Sequence, residues 1–213
     1  RFCVGKPDNI KLYMHCGLKD QGWDLMPLFG RIMSNYGLNP NHRIVMTAQS
    51  PNPPNVSVEL LNKIYNVADV GINTCKGEGW GLVSFEHAAC QVPQIVPDHT
   101  SCKEIFGGYG LPLIRSCFND IDMNLNRVMP IPDAGHAAEI LDMLYEDRNL
   151  LQEVGAKHYE RVSDPQFSWP VIASQFTEVI EEALAYEEAP PAPPVKKVSK
   201  PKKRKKAAGM AKV

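Results

Sequence analysis

The chain has 213 residues, 44% of them hydrophobic and 22% charged, with a formal net charge of −1; this is the composition of a globular protein with room for one large domain. The balance hides a split, because nine of the 23 Lys and Arg lie between Lys196 and Lys212 and leave 14 against 24 acids, a body near −10. A body of that sign is a poor binder of nucleic acid, and no apolar stretch approaches the ~18 residues that read as a membrane-spanning helix.

Short apolar runs alternate with helical patterns. "NIKLYMHCG" (9–17) alternates Ile10, Leu12, Met14 and Cys16 and predicts a strand ending at Gly17. Residues 24–37 carry Leu25, Leu28, Phe29, Ile32 and Met33 at helical spacing and close on Gly37. "HRIVMTA" (42–48) predicts a second strand, and Ser57 is placed to cap the helix that follows. "ADVGINTC" (68–75) and "PQIVP" (93–97) predict further strands, with a helix between them from Leu82. "SCKEIF" (101–106) reads as a short helix and "GLPLI" (110–114) as a strand. Residues 115–132 give only an edge strand near Arg127–Ile131. Asp133 caps a helical stretch that breaks at Asp147–Arg148, and 168–188 forms a long last helix with Pro170 in its first turn.

Strands alternating with helices of ten to fifteen residues point to βαβ units: an α/β class with a parallel, doubly wound, Rossmann-like sheet over residues 1–188. Ligands of such sheets bind beyond the carboxyl ends of the strands. Gly17, the strand end at Thr47 and Ala48, and the turn at 76–81 all sit there.

That turn is the most informative segment. "GEGWGLVSFEHAAC" (77–90) leads from a strand into a helix through three glycines. Glycine lets the backbone approach a ligand or take positive φ, and a helix start presents unpaired N–H groups that suit phosphate. Gly81, Leu82 and Val83 are the candidate phosphate amides, with Gly79 and Trp80 shaping the turn. A carboxylate at Glu86 reaches a ribose-like diol, and Glu78 the far end of the same ligand. An anion flanked by two readers of hydroxyl groups describes a sugar nucleotide. The residues alone leave another reading open: the glycines serve close helix–sheet packing, and Glu86 is a solvated helical acid. Lys76 is either a phosphate contact or solvent-exposed, and His87 either a base or a packing residue.

Six cysteines without a CxxC pair, and six scattered histidines, show no metal-ligand spacing. Cysteines in apolar runs fit a reducing compartment, so the expectation is a cytoplasmic protein. From Ala189 the chain is Pro-, Ala- and Lys-rich, a composition that predicts a tail (189–213) without order. "KPKKRKK" (200–206) resembles a nuclear import signal. Its charge equally suits import machinery, nucleic acid or an anionic membrane as partner.

Residues 69–106, "DVGINTCKGEGWGLVSFEHAACQVPQIVPDHTSCKEIF", resemble the donor-binding half of the retaining family 4 glycosyltransferases. The shared pattern is a strand, E-G-W-G-L, a second Glu eight positions on, a small-residue helix, a following strand, and a last Glu, here Glu104. The tail and the variant spelling also resemble enzymes of large algal DNA viruses. The resemblance implies a GT-B fold of two Rossmann-like domains, of which this would be the second. It implies a GDP- or UDP-linked sugar donor, a hydroxyl acceptor such as a glycan, and retaining hexosyl transfer without a metal or other cofactor. By matching, Glu78 is the candidate catalytic residue on the donor sugar, Glu86 holds the ribose, Gly81 to Val83 the diphosphate, and Gly17, Thr47 and Ala48 flank phosphate and base. The family's Arg and Lys after its first strand have no counterpart, so the chain would start inside the following helix. It would be inactive without an N-terminal acceptor domain. Gln91 stands where glycine is usual, and "DHTSCKE" (98–104) replaces a Gly-Gly turn, aiming Thr100 and Ser101 at the sugar. The alternative is a non-catalytic sugar-nucleotide-binding or protein-interaction module on the same fold.

Overall fold

The computed structural model describes residues 2–20, 23–47, 55–123 and 126–187. In chain order they form β1 (Leu12–Met14), β2 (Lys19–Asp20), β3 (Trp23–Asp24), α1 (Leu25–Ser34), α2 (Pro40–Arg43), β4 (Ile44–Met46), α3 (Val58–Val67) and β5 (Gly71–Ile72). There follow α4 (Leu82–Ala88), β6 (Gln94–Ile95), α5 (Thr100–Phe106), β7 (Ser116–Asp122), β8 (Arg127–Pro132), α6 (Ala134–Glu146), α7 (Arg148–Val162) and α8 (Trp169–Glu187). Two units divide the chain, Arg1–Ser168 and Trp169–Val213, and α8 is the described part of the second. The Lys/Pro-rich tail from 189 and Ala48 lie outside the described residues.

Helices start where local chemistry starts them. Ser57 Oγ accepts from the Leu60 N–H at the head of α3, and Asp133 accepts from Gly135 and His136 at the head of α6. Asp147 ends α6 and caps α7, accepting from Asn149 and Leu150 at 3.0 Å each. Each cap satisfies N–H groups that have no partner inside the helix.

The strands are shorter than the sequence pattern suggests. β4 begins only at Ile44, because Asn39 caps the one-turn helix α2 ahead of it, accepting from the Asn41 N–H at 3.0 Å. The predicted strand at 110–114 reduces to one parallel bridge between Ile114 and Pro97. Pro112 lacks the N–H that a ladder needs. β7 is the element the pattern misses; it pairs antiparallel with β8 from Asp122↔Arg127 back to Ser116↔Pro132, through a bulge. Its "SCFNDID" holds Asn and Asp, which strands disfavour, and cross-strand pairing in an exposed hairpin overrides that preference.

β1 runs parallel to β4 with Tyr13 opposite Val45, and β5 runs parallel to β6 with Ile72 opposite Ile95. The second ladder continues through the Ile114 N–H to Val96 O (2.8 Å) and the Asp98 N–H to Ile114 O (2.9 Å). The two parallel ladders are separate. Among the described residues no strand pairs with both.

Helices cover both faces of the second ladder. Successive residues of a strand face opposite sides, and Ile95 and Val96 are 0% and 1% exposed. Ile95 packs with Leu111, Ile114, Ile140, Leu144 and Val154 against α6 and α7. Val96 packs with Ala88, Cys102, Ile105, Phe106 and Val162 on the other side. A strand buried on both faces is the mark of a parallel α/β sheet. The architecture is α/β and Rossmann-like.

Candidate functional site

β5 ends by turning on its own side chain. The Cys75 N–H donates to Asn73 Oδ1 at 2.8 Å, closing a local turn that lifts the chain out of the sheet. The Asn73 amide has a second use: its Nδ2 donates to Glu78 Oε1 at 3.3 Å. Glu78 is also held by its backbone. Its N–H donates to Thr100 Oγ1 at 3.1 Å, and its carbonyl accepts from Ser101 Oγ at 3.2 Å.

The turn enters α4 through Gly81, whose φ of 84° is the left-handed conformation that glycine adopts without a Cβ penalty. No side chain caps α4 at Gly81, and the first N–H to turn back is that of Phe85, to Gly81 O at 3.0 Å. The amides of Leu82, Val83 and Ser84 precede that bond. Leu82 and Val83 are 63% and 66% exposed. Gly79 is exposed with open space around it. Trp80, partly exposed, lays its ring against Phe85 and Phe167, with centroids 5.4 and 5.5 Å away, so its side chain braces the turn.

A cleft of about 380 Å³ opens at the carboxyl end of β5. Ile72, Asn73, Thr74, Cys75 and Glu78 line one part, Val83, Ser84 and His87 of α4 another, and Gln94 its floor. Cys102 lies beneath the turn, its thiol pushed up to about 12, chiefly by burial and then by neighbouring Cys75. It fills space and is not a nucleophile at neutral pH.

The two acids of the motif separate. Glu78 lines the cleft, whereas Glu86 is exposed on α4 and accepts from the phenol of Tyr65 in α3 at 3.0 Å. The Tyr65 ring stacks on His87 at 4.9 Å and 22°, and His87 Nε2 donates to the Tyr65 carbonyl at 3.1 Å. Burial lowers the pKa of His87 and favours its neutral form. Burial, then the Glu86 carboxylate, raises that of Tyr65. Lys76 pairs with Asp120 of the hairpin at 2.6 Å.

Gly17 and Thr47 lie at the carboxyl ends of β1 and β4, as the parallel register requires. Thr47 Oγ1 bonds His15 Nδ1 at 2.7 Å and the Tyr13 hydroxyl, and Gly17 is buried. No described contact joins this group to Glu78 or Glu86. Lys6 is engaged elsewhere, paired with Asp142 and over the rings of Phe2 and Tyr145.

The sequence reading missed Asn73, Tyr65, Tyr13 and His15. The last two were within reach, because Tyr13 and His15 alternate onto one face of the strand predicted at 9–17, and the register, continued one residue past Met14↔Met46, sets His15 beside Thr47. Gln91, in the place of the usual glycine, holds a left-handed φ of 60°. Thr100 holds one of 51°. Among the described residues no three His, Cys, Asp or Glu side chains gather as a metal-binding group, and no helix is long and apolar enough to cross a membrane.

No protein-family model matches this chain, and no curated protein does. Among solved structures, sucrose-phosphate synthase from Thermosynechococcus elongatus matches with a TM-score of 0.59 at 21% identity, over 83% of this chain and 39% of that one. The likeness is one of fold: the chain has a GT-B-like Rossmann domain similar to part of that enzyme. The chain spans well under half the length of that neighbour.

Proposed function

We propose that this domain binds a nucleoside diphosphate sugar and forms the donor half of a retaining, metal-independent glycosyltransferase of the hexosyl type. The observation that carries the reading is the cleft at the end of β5, which Glu78 lines together with Val83 and Ser84 from the uncapped first turn of α4. The diphosphate rests against the amides of Leu82 and Val83 past Gly81, where Gly79 leaves open space. Glu78 takes the hydroxyls of the donor sugar. Glu86 takes the ribose, sharing its carboxylate with Tyr65, and the Gly17–Thr47 edge flanks the base.

Transfer builds negative charge on the departing diphosphate, and fixed dipoles aimed at that charge lower the barrier. The α4 amides supply part of this field. The rest, with the site for a hydroxyl acceptor, comes from a partner domain. The basic tail adds charge-driven contacts to import machinery, nucleic acid or anionic membrane, which salt and deletion of 195–213 would abolish.

Calorimetry with UDP and GDP tests the reading. One of them binds the 213-residue chain, and Glu86→Ala weakens it about tenfold, the loss expected for charge-assisted hydrogen bonds to a diol. Binding of neither nucleotide overturns the proposal. Unchanged affinity in Glu86→Ala removes the ribose assignment.

A further inference from the structure

Thr100 and Ser101 are aimed at the donor sugar by resemblance, but both hydroxyls point at protein. Thr100 Oγ1 accepts the Glu78 N–H and Ser101 Oγ donates to the Glu78 carbonyl, so the peptide units on both sides of Glu78 are tied to the head of α5. The third tie is on the side chain, where Asn73 Nδ2 meets Oε1. Asn73 is itself fixed by the Cys75 N–H on its other amide atom, which settles which end of the amide faces Glu78.

Thr100 makes its bond from a left-handed backbone, φ 51°, which a β-branched residue adopts only under strain. The strain is local to a contact with Glu78, and His99 Nδ1 lies 3.3 Å from the same hydroxyl. A structural turn alone needs none of these groups on its acid. Three bonds, one from Asn73 and two from the head of α5, meet on one residue of the glycine-rich turn and serve to hold its carboxylate at a set position in the cleft.

We propose that Asn73, Thr100 and Ser101 are positioning residues that pre-organise Glu78 for the sugar half of the donor. They act through Glu78 and do not touch the nucleotide half. This inference rests on the sugar-nucleotide reading. Its signature is a change in discrimination: the ratio of affinities for a sugar nucleotide over its bare nucleoside diphosphate.

The test is calorimetry on the full 213-residue chain with UDP against UDP-glucose and GDP against GDP-mannose. Glu78→Ala sets the largest fall in the ratio. Asn73→Ala and Thr100→Ala each lower it about threefold to tenfold, the range for one hydrogen bond to a charged or pre-organised group. Thr100→Ser keeps the hydroxyl, removes the same methyl group as Thr100→Ala, and restores the ratio. Thermal unfolding of each variant registers any loss of fold, and Asn73→Ser supplies a second variant at that position should Asn73→Ala not fold. A ratio that stays at the parent value in both alanine variants overturns the positioning role. So does a Thr100→Ser variant as impaired as Thr100→Ala. If the parent chain binds neither nucleotide, the donor reading itself falls, and the positioning role with it.

Discussion

The Tyr65 hydroxyl donates to the Glu86 carboxylate at 3.0 Å, and the same ring lies flat on His87, joining α3 to two successive residues of α4. The bond uses Oε2 and leaves the second oxygen for a ligand. Tyr65→Phe keeps the stacked ring and removes the donor. It should weaken nucleotide binding about fivefold by freeing Glu86, close to 1 kcal/mol. A calorimetric titration that gives the parent affinity would show that Tyr65 has no part in orienting the acid.

Gln91 adopts φ 60° just past α4, and a Cβ at Gly155 in α7 would run into its carbonyl oxygen. The left-handed conformation costs an L-residue about 1–2 kcal/mol, while glycine gives back about 0.5–1 in chain entropy. The first exceeds the second, so Gln91→Gly should stabilise the domain by about 0.5–1 kcal/mol. Gly155→Ala should destabilise it, because backbone lies in the way. Denaturant midpoints decide both, and a less stable Gln91→Gly variant would contradict the strain argument.

His158 is 1% exposed, and its Nδ1 accepts the Gln94 N–H at 3.0 Å. Burial brings its pKa down from 6.5 to about 4. The unfolded chain then takes up a proton at a higher pH than the folded one. The His158 contribution to stability should be constant above pH 6.5 and fall as the pH drops toward 4, by about 3 kcal/mol over the whole window. Burial acts on His87 in the same direction. Urea unfolding at pH 7.5, 6 and 5 measures the slope. His158→Gln, which keeps an acceptor for Gln94, should flatten it, and an equal slope in the variant would rule His158 out as the source.

Asp147 holds the two N–H groups that open α7 and receives no help from a neighbouring cap. Asp147→Ala should cost about 1 kcal/mol, and Asp147→Asn only a fraction of that. Thermal melts of the pair distinguish a lost cap from a lost charge, since a lost charge would make both variants equally weak.

Caps were legible in the sequence because they are closed within four residues. Ser57, Asp133 and the break at Asp147 all follow from a short polar side chain ahead of an apolar period. The glycine-rich turn into α4 was legible for the same reason, as a strand must reverse into a helix within a few residues, but which of its glycines turns left-handed was not. Strand lengths were not, because Pro112 and the capped turn at Asn39 shorten ladders that apolar content alone would extend. β7 was invisible: its strand character lies in its partner β8 and not in its own residues.

The order of strands and helices, the glycine-rich turn and the positions of Glu78 and Glu86 along the chain are properties of the sequence itself. They depend on periodicity and on backbone preferences a few residues long. Which acid faces the cleft was decided by packing. α3 sets Tyr65 over α4 and draws Glu86 to the outside, while α5 and the end of β5 close on Glu78 from residues 5 and 22 positions away. A side chain's direction and partners come from neighbours distant in sequence, and no local pattern encodes them.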